Sequence, residues 1–325
     1  MLTRFIAALA ATAALLSLSA VALGQGYPAK PIRLIVPYPA GGATDFFARL
    51  VFPKLGDALG QAVVVENRPG AGTAIGASEV ARSAADGYTL LLGDAGTYAF
   101  NPTLYKTLSY DPAKDFAPIS LTGRFALILA VNPSVLKVSS VKEFVEAAKH
   151  APGKIDYGAP GPGSPIHLAM ELLKQRAGIT MTAIPYKGGA DALSDLIGGR
   201  IGALFPDIAT GLPQIRSSKI KALAVASDKR VAALPDLPTV GESGYPGFEA
   251  WAWQGFVAPA GTPRDVVMKL NGAFARVMAD PAIKQRLSES GFEPQTSTPD
   301  EFAAYMKSEI AKWAKVIRES NISLD

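Results

Sequence analysis

The sequence predicts an α/β protein built on parallel sheets, and three observations carry that prediction. Short apolar runs rich in Val, Ile and Leu recur along the chain, helical patterns alternate with them, and glycine-rich turns join the end of a run to the start of a helix. Strands covered on both faces read as nearly unbroken apolar runs. Their alternation with helices is the pattern of a parallel α/β sheet. The 325 residues allow roughly two domains, and 49% hydrophobic against 18% charged residues gives enough apolar surface for a large core.

The elements follow in chain order. Residues Met1–Gly24 read as a secretory signal: Arg4 supplies the charged start, Phe5–Leu23 the apolar stretch, and Ala22-Leu23-Gly24 a small-residue cleavage site before Gln25. Strands are expected at Ile32–Tyr38, Ala62–Asn67, Thr89–Asp94, Leu127–Asn132, Thr182–Tyr186 and Ile220–Ser227. Helices are expected at Thr44–Leu59, Thr73–Ser83, Val141–His150, Ser164–Ala177 and Asp191–Ile197. Phe52-Pro53 should kink or shorten the first of these, because proline removes a helix donor. Two longer amphipathic helices, Pro263–Ala279 and Pro299–Glu319, each open on Thr-Pro and an acidic residue. Pro235–Gly247 and Pro259–Pro263 read as loops.

Composition excludes several functions. With no cysteine there is no disulfide framework, thiol nucleophile or cysteine-based zinc site, and two histidines make a multi-histidine metal centre improbable. A net charge of +4 without a basic run does not indicate a nucleic-acid partner. Gly70–Gly76 has the spacing G-x-G-x-x-x-G, which is not the dinucleotide fingerprint, and no phosphate-loop lysine follows any glycine turn. The sequence therefore implies no cofactor and no metal.

Four glycine turns are the candidate site. They are Pro37–Asp45, Asn67–Gly76, Tyr157–His167 and Pro185–Asp191. Thr44 or Asp45 can cap the first following helix; Ser164 is a natural cap for the third, with Pro165 at its first position. Each turn leaves backbone N–H groups at the positive end of a helix dipole, which suits a carboxylate or phosphate. Glycine also serves tight strand–helix connections for purely structural reasons, and spacing does not show whether the turns converge. Asp45, Asp94 and Asp207 lie at strand ends or turns, where each caps a helix or meets a ligand. Ser164 and His167 could touch on one helical turn, but no orienting acid completes a triad, and a capping serine beside a polar histidine is the simpler reading. His150 at a helix end reads as structural. Trp251 and Trp253 share one face of a strand and read as core before ligand stacking.

In their order and spacing these motifs resemble one family. Tyr27–Tyr38, the first turn with Asp45, Asn67–Gly72, Asp86-Gly87, Asn101-Pro102, Tyr110–Pro118, Tyr157–Leu168, Pro185–Gly188 and Leu237–Gly244 together resemble the Bug family, the substrate-binding proteins of tripartite tricarboxylate transporters. The resemblance implies a two-lobed, Venus-flytrap binding protein of type II-like fold with a cleft between the lobes. It implies lobe 1 at 25–124 plus 252–325 and lobe 2 at 125–251, with crossings near Phe125–Val131 and Trp251–Ala258. It implies a periplasmic monomer that captures a small carboxylate for membrane transporter subunits and is not an enzyme. The ligand residues it implies are Tyr38, Ala40, Gly41, Gly42, Thr44, Asp45, Gly72, Thr73, Asp94 and Thr97 in the first lobe. From the second lobe come Gly163, Ser164, His167, Tyr186, Lys187 and Asp207. Where many members carry Ser/Thr-rich residues before Asn-Pro, this chain reads GDAGTYAF, which sets Asp94 at the cleft edge. A periplasmic sensor for a receptor kinase and a secreted serine hydrolase using Ser164 and His167 are the alternatives.

Overall fold

The structure, a computed structural model, describes residues 26–161 and 163–324. The expected signal segment lies outside the described residues. The chain folds into two sheets, each covered by helices. The first holds β1 (Ile32–Val36), β2 (Val63–Asn67), β3 (Thr89–Asp94), β4 (Phe116–Ala126), β10 (Trp251–Pro259) and β11 (Phe292–Pro294), in the order β11-β4-β10-β3-β1-β2. The second holds β5 (Ile128–Val131), β6 (Asp156–Pro160), β7 (Thr182–Tyr186), β8 (Ala203–Leu204) and β9 (Lys221–Val225), in the order β7-β6-β8-β5-β9.

The expected parallel pairing is present in both sheets, but antiparallel strands join it, so the sheets are mixed. β1 is parallel to β2 and β3, but β10 runs antiparallel to both β3 and β4. In the second sheet β6 is parallel to β7 and β8, while β5 is antiparallel to β8 and β9. The cause is the path of the chain. β4 ends at Ala126 in one sheet and β5 begins at Ile128 in the other, so Leu127 alone makes the first crossing. The chain later returns into the middle of the first sheet as β10, reversed in direction. The Ala226 N–H donates to the Leu127 carbonyl and the Ala250 N–H to the Ala226 carbonyl, both at 2.8 Å, which ties the crossing segments together.

The helices are α1 (Ala43–Leu59), α2 (Ala74–Ala81), α3 (Asn101–Leu104, entered through a π turn at Gly96–Phe100), α4 (Val141–His150) and α5 (Pro165–Ala177). They continue with α6 (Gly189–Ile197), α7 (Ile208–Arg216), α8 (Arg264–Ala279), α9 (Pro281–Glu289) and α10 (Pro299–Glu319). Pro53 does not shorten α1, which runs through it for 17 residues. Phe47, Val51, Phe52 and Leu55 are fully or almost fully buried there, and burial of that order, roughly 1.5–3 kcal/mol per large side chain, outweighs a missing hydrogen bond. α10 opens on a complete capping box of Thr298 and Glu301, whereas α8 has no side-chain cap because its N-cap residue is Pro263, whose side chain has no acceptor. Trp251 and Trp253 are both core residues. The Nε1 groups of Trp253 and Trp313 donate to one buried carboxylate oxygen of Glu309, which fastens α10 to β10. Among the described residues no helix is long and apolar enough to cross a membrane.

Candidate functional site

A cleft of about 590 Å3 lies between the lobes. Its wall draws on the first turn (Gly41, Gly42, Ala43, Thr44), the third (Ser164, Pro165, Ile166), the fourth (Gly189) and the start of α7 (Asp207, Ala209, Thr210). The N-termini of α1, α5, α6 and α7 therefore converge on one space. α1 and α6 begin at Gly42 and Gly188 without any side-chain cap, so their first-turn N–H groups are offered to whatever fills the cleft. At α5 the Ser164 hydroxyl caps the His167 N–H, and at α7 the Asp207 carboxylate caps the Thr210 N–H. Among the described residues no lysine or arginine lines the space, and Asp94 and Asp207 are its charged side chains. Apolar surface from Phe46, Phe125, Leu127, Ile166 and Trp253 completes the wall.

Of the ligand residues expected from the sequence, Gly41, Gly42, Thr44, Asp94, Ser164 and Asp207 line the cleft, beside Pro165 and Trp253. The others stand outside its lining, for identifiable reasons. The expected cap by Thr44 or Asp45 is not formed, because Gly42 is the N-cap. The Asp45 carboxylate turns back to accept from the Gly41 N–H, Arg49 and Asn67. Burial works to raise its pKa, but those hydrogen bonds prevail and hold it at about 2. Tyr38 is half-buried, and its phenol and the Thr97 N–H both bond Asp94. Burial nevertheless pushes the Asp94 carboxyl up from its ordinary value, against those bonds. Ala40 is exposed outside the lining.

The second turn does not reach the wall. The Gly72 carbonyl accepts from Asn101 Nδ2 at 2.6 Å, and the Thr73 hydroxyl accepts from Thr97 at 3.0 Å. Thr97 is fully buried and contacts Asp94 in turn, so this turn braces the cleft from behind. In the second lobe, Gly163 N–H donates to His167 Nδ1 at 3.1 Å and the ring faces Glu171 rather than Ser164. Burial pushes the His167 pKa down. The Tyr186 hydroxyl donates to Asp195, and Lys187 is exposed.

Sequence reasoning passed over Phe46, Ile166, Ala209, Ser290 and Gln254. Only Gln254 carried a signal, as the one polar side chain in the apolar run WAWQGFVAP. Ala209 and Thr210 were hidden because Gly211 and Pro213 disguise α7 as loop.

Two mixed α/β lobes, joined by crossing strands and enclosing a cleft at helix N-termini, define a two-lobed periplasmic binding protein fold. The profile described as "Tripartite tricarboxylate transporter family receptor" matches residues 47–322, and the chain belongs to that family of periplasmic solute-binding proteins. It is similar to protein BugT of Bordetella pertussis, with 37% identity over 324 residues and 99% of both chains covered. Among solved structures it is similar to Rpa4515 of R. palustris with adipate: 38% identity, TM-score 0.79, 91% of this chain and 99% of that one. It is also similar to MatC of Rhodopseudomonas palustris with bound malate: 31% identity, TM-score 0.74, 90% of this chain and 100% of that one.

Proposed function

We propose that the cleft captures a small carboxylate and hands it to the membrane subunits of a tripartite tricarboxylate-type transporter. The observation that carries this reading is the meeting of four helix N-termini, two without a side-chain cap, in a space lined by no cationic side chain among the described residues. Helix N-termini favour an anion by roughly 0.3–1 kcal/mol each, and more when partly buried. The adipate and malate bound by the similar proteins support the choice of carboxylate over phosphate. The lobes follow the expected division, 25–124 plus 252–325 and 125–251, except that Phe125, Ala126 and Trp251 go with lobe 1, since β4 and β10 carry them in the first sheet. Contacts from both lobes to one ligand favour the closed arrangement, and the crossings at Leu127 and between β9 and β10 are where it would bend. The protein acts as a periplasmic monomer after cleavage near Gly24, and no bond is made or broken. The Ser164 hydroxyl and the His167 ring each hold a backbone N–H instead of each other, which supports binding without turnover.

A thermal-shift screen tests the reading. Ligand at a hundredfold excess over its dissociation constant should stabilise the protein by about 2.7 kcal/mol. Mono- and dicarboxylates should give shifts and their methyl esters none. Equal shifts from an acid and its ester would sink the proposal. Loss of carboxylate uptake in a deletion strain, rather than loss of gene induction, separates delivery from sensing.

A further inference from the structure

The third turn is held by one unprotonated nitrogen. The Gly163 N–H donates to His167 Nδ1 at 3.1 Å, and His167 is 7% exposed. A backbone N–H can only donate, so Nδ1 must keep its lone pair and the neutral ring carries its proton on Nε2. Imidazolium has a proton on both nitrogens and no acceptor left, so the Gly163 N–H would then face a second donor. The hold is mutual, because the Ser164 hydroxyl accepts from the His167 N–H at 3.2 Å. Ser164 and the adjoining Pro165 and Ile166 line the cleft. On its other side the turn presses against lobe 1: a Cβ added at Gly163 would run into the Leu104 side chain at the end of α3. The surroundings offer imidazolium little. Its Nε2 stands 3.8 Å from Glu171 Oε1, which already accepts from Lys174 Nζ at 2.6 Å and from the Tyr157 phenol. Among the described residues these are the charged and titratable groups acting on the ring, Glu171 and Lys174 from α5 and Tyr157 from β6. The segment after α10 presents the Ser320 hydroxyl to Glu171, and α3 presents Leu104. Burial pushes the ring's pKa down and Lys174 adds to that, while Glu171 pulls the other way.

Resting on the carboxylate reading above, we propose that His167 is a positioning residue: its neutral ring holds the third turn in the ligand-binding form, and a proton on Nδ1 opposes ligand binding. Without ligand the turn can give way and let Nδ1 take a proton. With ligand against Ser164 and Ile166 on one side and Leu104 on the other, it has no room to do so. Proton and ligand are therefore linked through one hydrogen bond. The ligand makes the ring harder to protonate, and acid weakens the ligand to the same extent.

Nitrogen-15 NMR of the ring-labelled mature protein reads the proton directly, and because the chain has two histidines, His150→Gln assigns the signals. At neutral pH the His167 ring should show a bare Nδ1 and a protonated Nε2. It should titrate on acidification of the free protein. Adipate, malate or hexanoate, whichever calorimetry finds to bind most tightly, should move that titration to lower pH. Affinity should then fall by up to about tenfold for each pH unit below the free ring's titration. His167→Asn sets an amide oxygen near the Nδ1 position and does not titrate, so it should keep most of the neutral-pH affinity. The ratio of wild-type to variant dissociation constants removes the ionisation of the probe itself, and it should grow as pH falls. An unchanged melting temperature confirms that the variant folds; if it does not, the ring titration decides alone. A protonated Nδ1 at neutral pH, a ring that stays neutral until the protein unfolds, a titration that the probe leaves in place, or a ratio flat with pH would each overturn the linkage while leaving the carboxylate reading intact. No binding by any of the three acids at neutral pH would overturn both.

Discussion

The first and second glycine turns share one local pattern, a buried strand, then glycines, then a helix, yet they face opposite things. A Cβ added at Gly41 would meet nothing within 4 Å, and one at Gly42 only the Pro39 carbonyl at 3.7 Å. A Cβ at Gly72 would run into the Tyr105 hydroxyl, and one at Gly70 into the Ile75 side chain. Gly42 of the first turn keeps a space open, while Gly41 beside it also takes φ 88°, which favours glycine. The glycines of the second let the chain pack against itself, with Gly72 at φ 53°. What distinguishes a ligand glycine from a structural one is the content of the space in front of it, and that content comes from distant parts of the chain.

The largest expected effect breaks the first turn. Gly42 has φ −78°, which valine adopts without strain, so Gly42→Val should fold normally while its side chain fills the anion position. Calorimetry should find no carboxylate binding, with an unchanged circular dichroism spectrum. Gly72→Val should do the reverse, losing about 1–3 kcal/mol through positive φ and collision with Tyr105. Denaturant unfolding measures that loss, and ligand affinity in the folded protein should fall far less than in Gly42→Val. Ser164→Ala sharpens the contrast within the second lobe. It should cost about 1 kcal/mol of stability for the lost cap.

The smallest effect is a pH dependence at Asp45. Its carboxyl titrates at about 2 in the folded protein against an ordinary 3.8, so the ionised form is the one folding favours. The stabilisation is complete above pH 3.8 and is lost as pH falls towards 2. The difference in melting temperature between wild type and Asp45→Asn should be largest near neutrality and shrink across that window. A difference that grew on acidification would contradict the assigned hydrogen bonds.

Much of the fold was legible because its period was. Val141–His150 and Thr182–Tyr186 occupy the expected residues, since one has a clear amphipathic repeat and the other a β-branched and aromatic run. β4 was hidden because its alternation is broken twice, by register shifts against β10 beside Pro118 and Gly123. In the sequence β6 reads as turn because Gly158 and Pro160 look like punctuation. Gly158 instead lets Leu204, Ile201 and Ala192 pack close over the sheet. In the site, the capping role of Ser164 was legible because it depends on neighbours three residues away. The bracing role of Thr73 was not, because it depends on Thr97 and Asn101, more than twenty residues on. Likewise Gln254 comes to line the cleft opposite Asp94 only because β10 returns antiparallel to β3.

The central claim is that backbone N–H groups of the first turn, and not the second, hold the ligand carboxylate. Amide-resolved NMR of uniformly 15N-labelled protein, titrated with a carboxylate that binds, tests it most directly. The account predicts large downfield amide proton shifts at Gly42, Ala43 and Thr44, with further changes at Ile166 and Gly189, and small ones at Gly72 and Thr73. Large shifts at Gly72 and Thr73 with Gly42–Thr44 unmoved would contradict it.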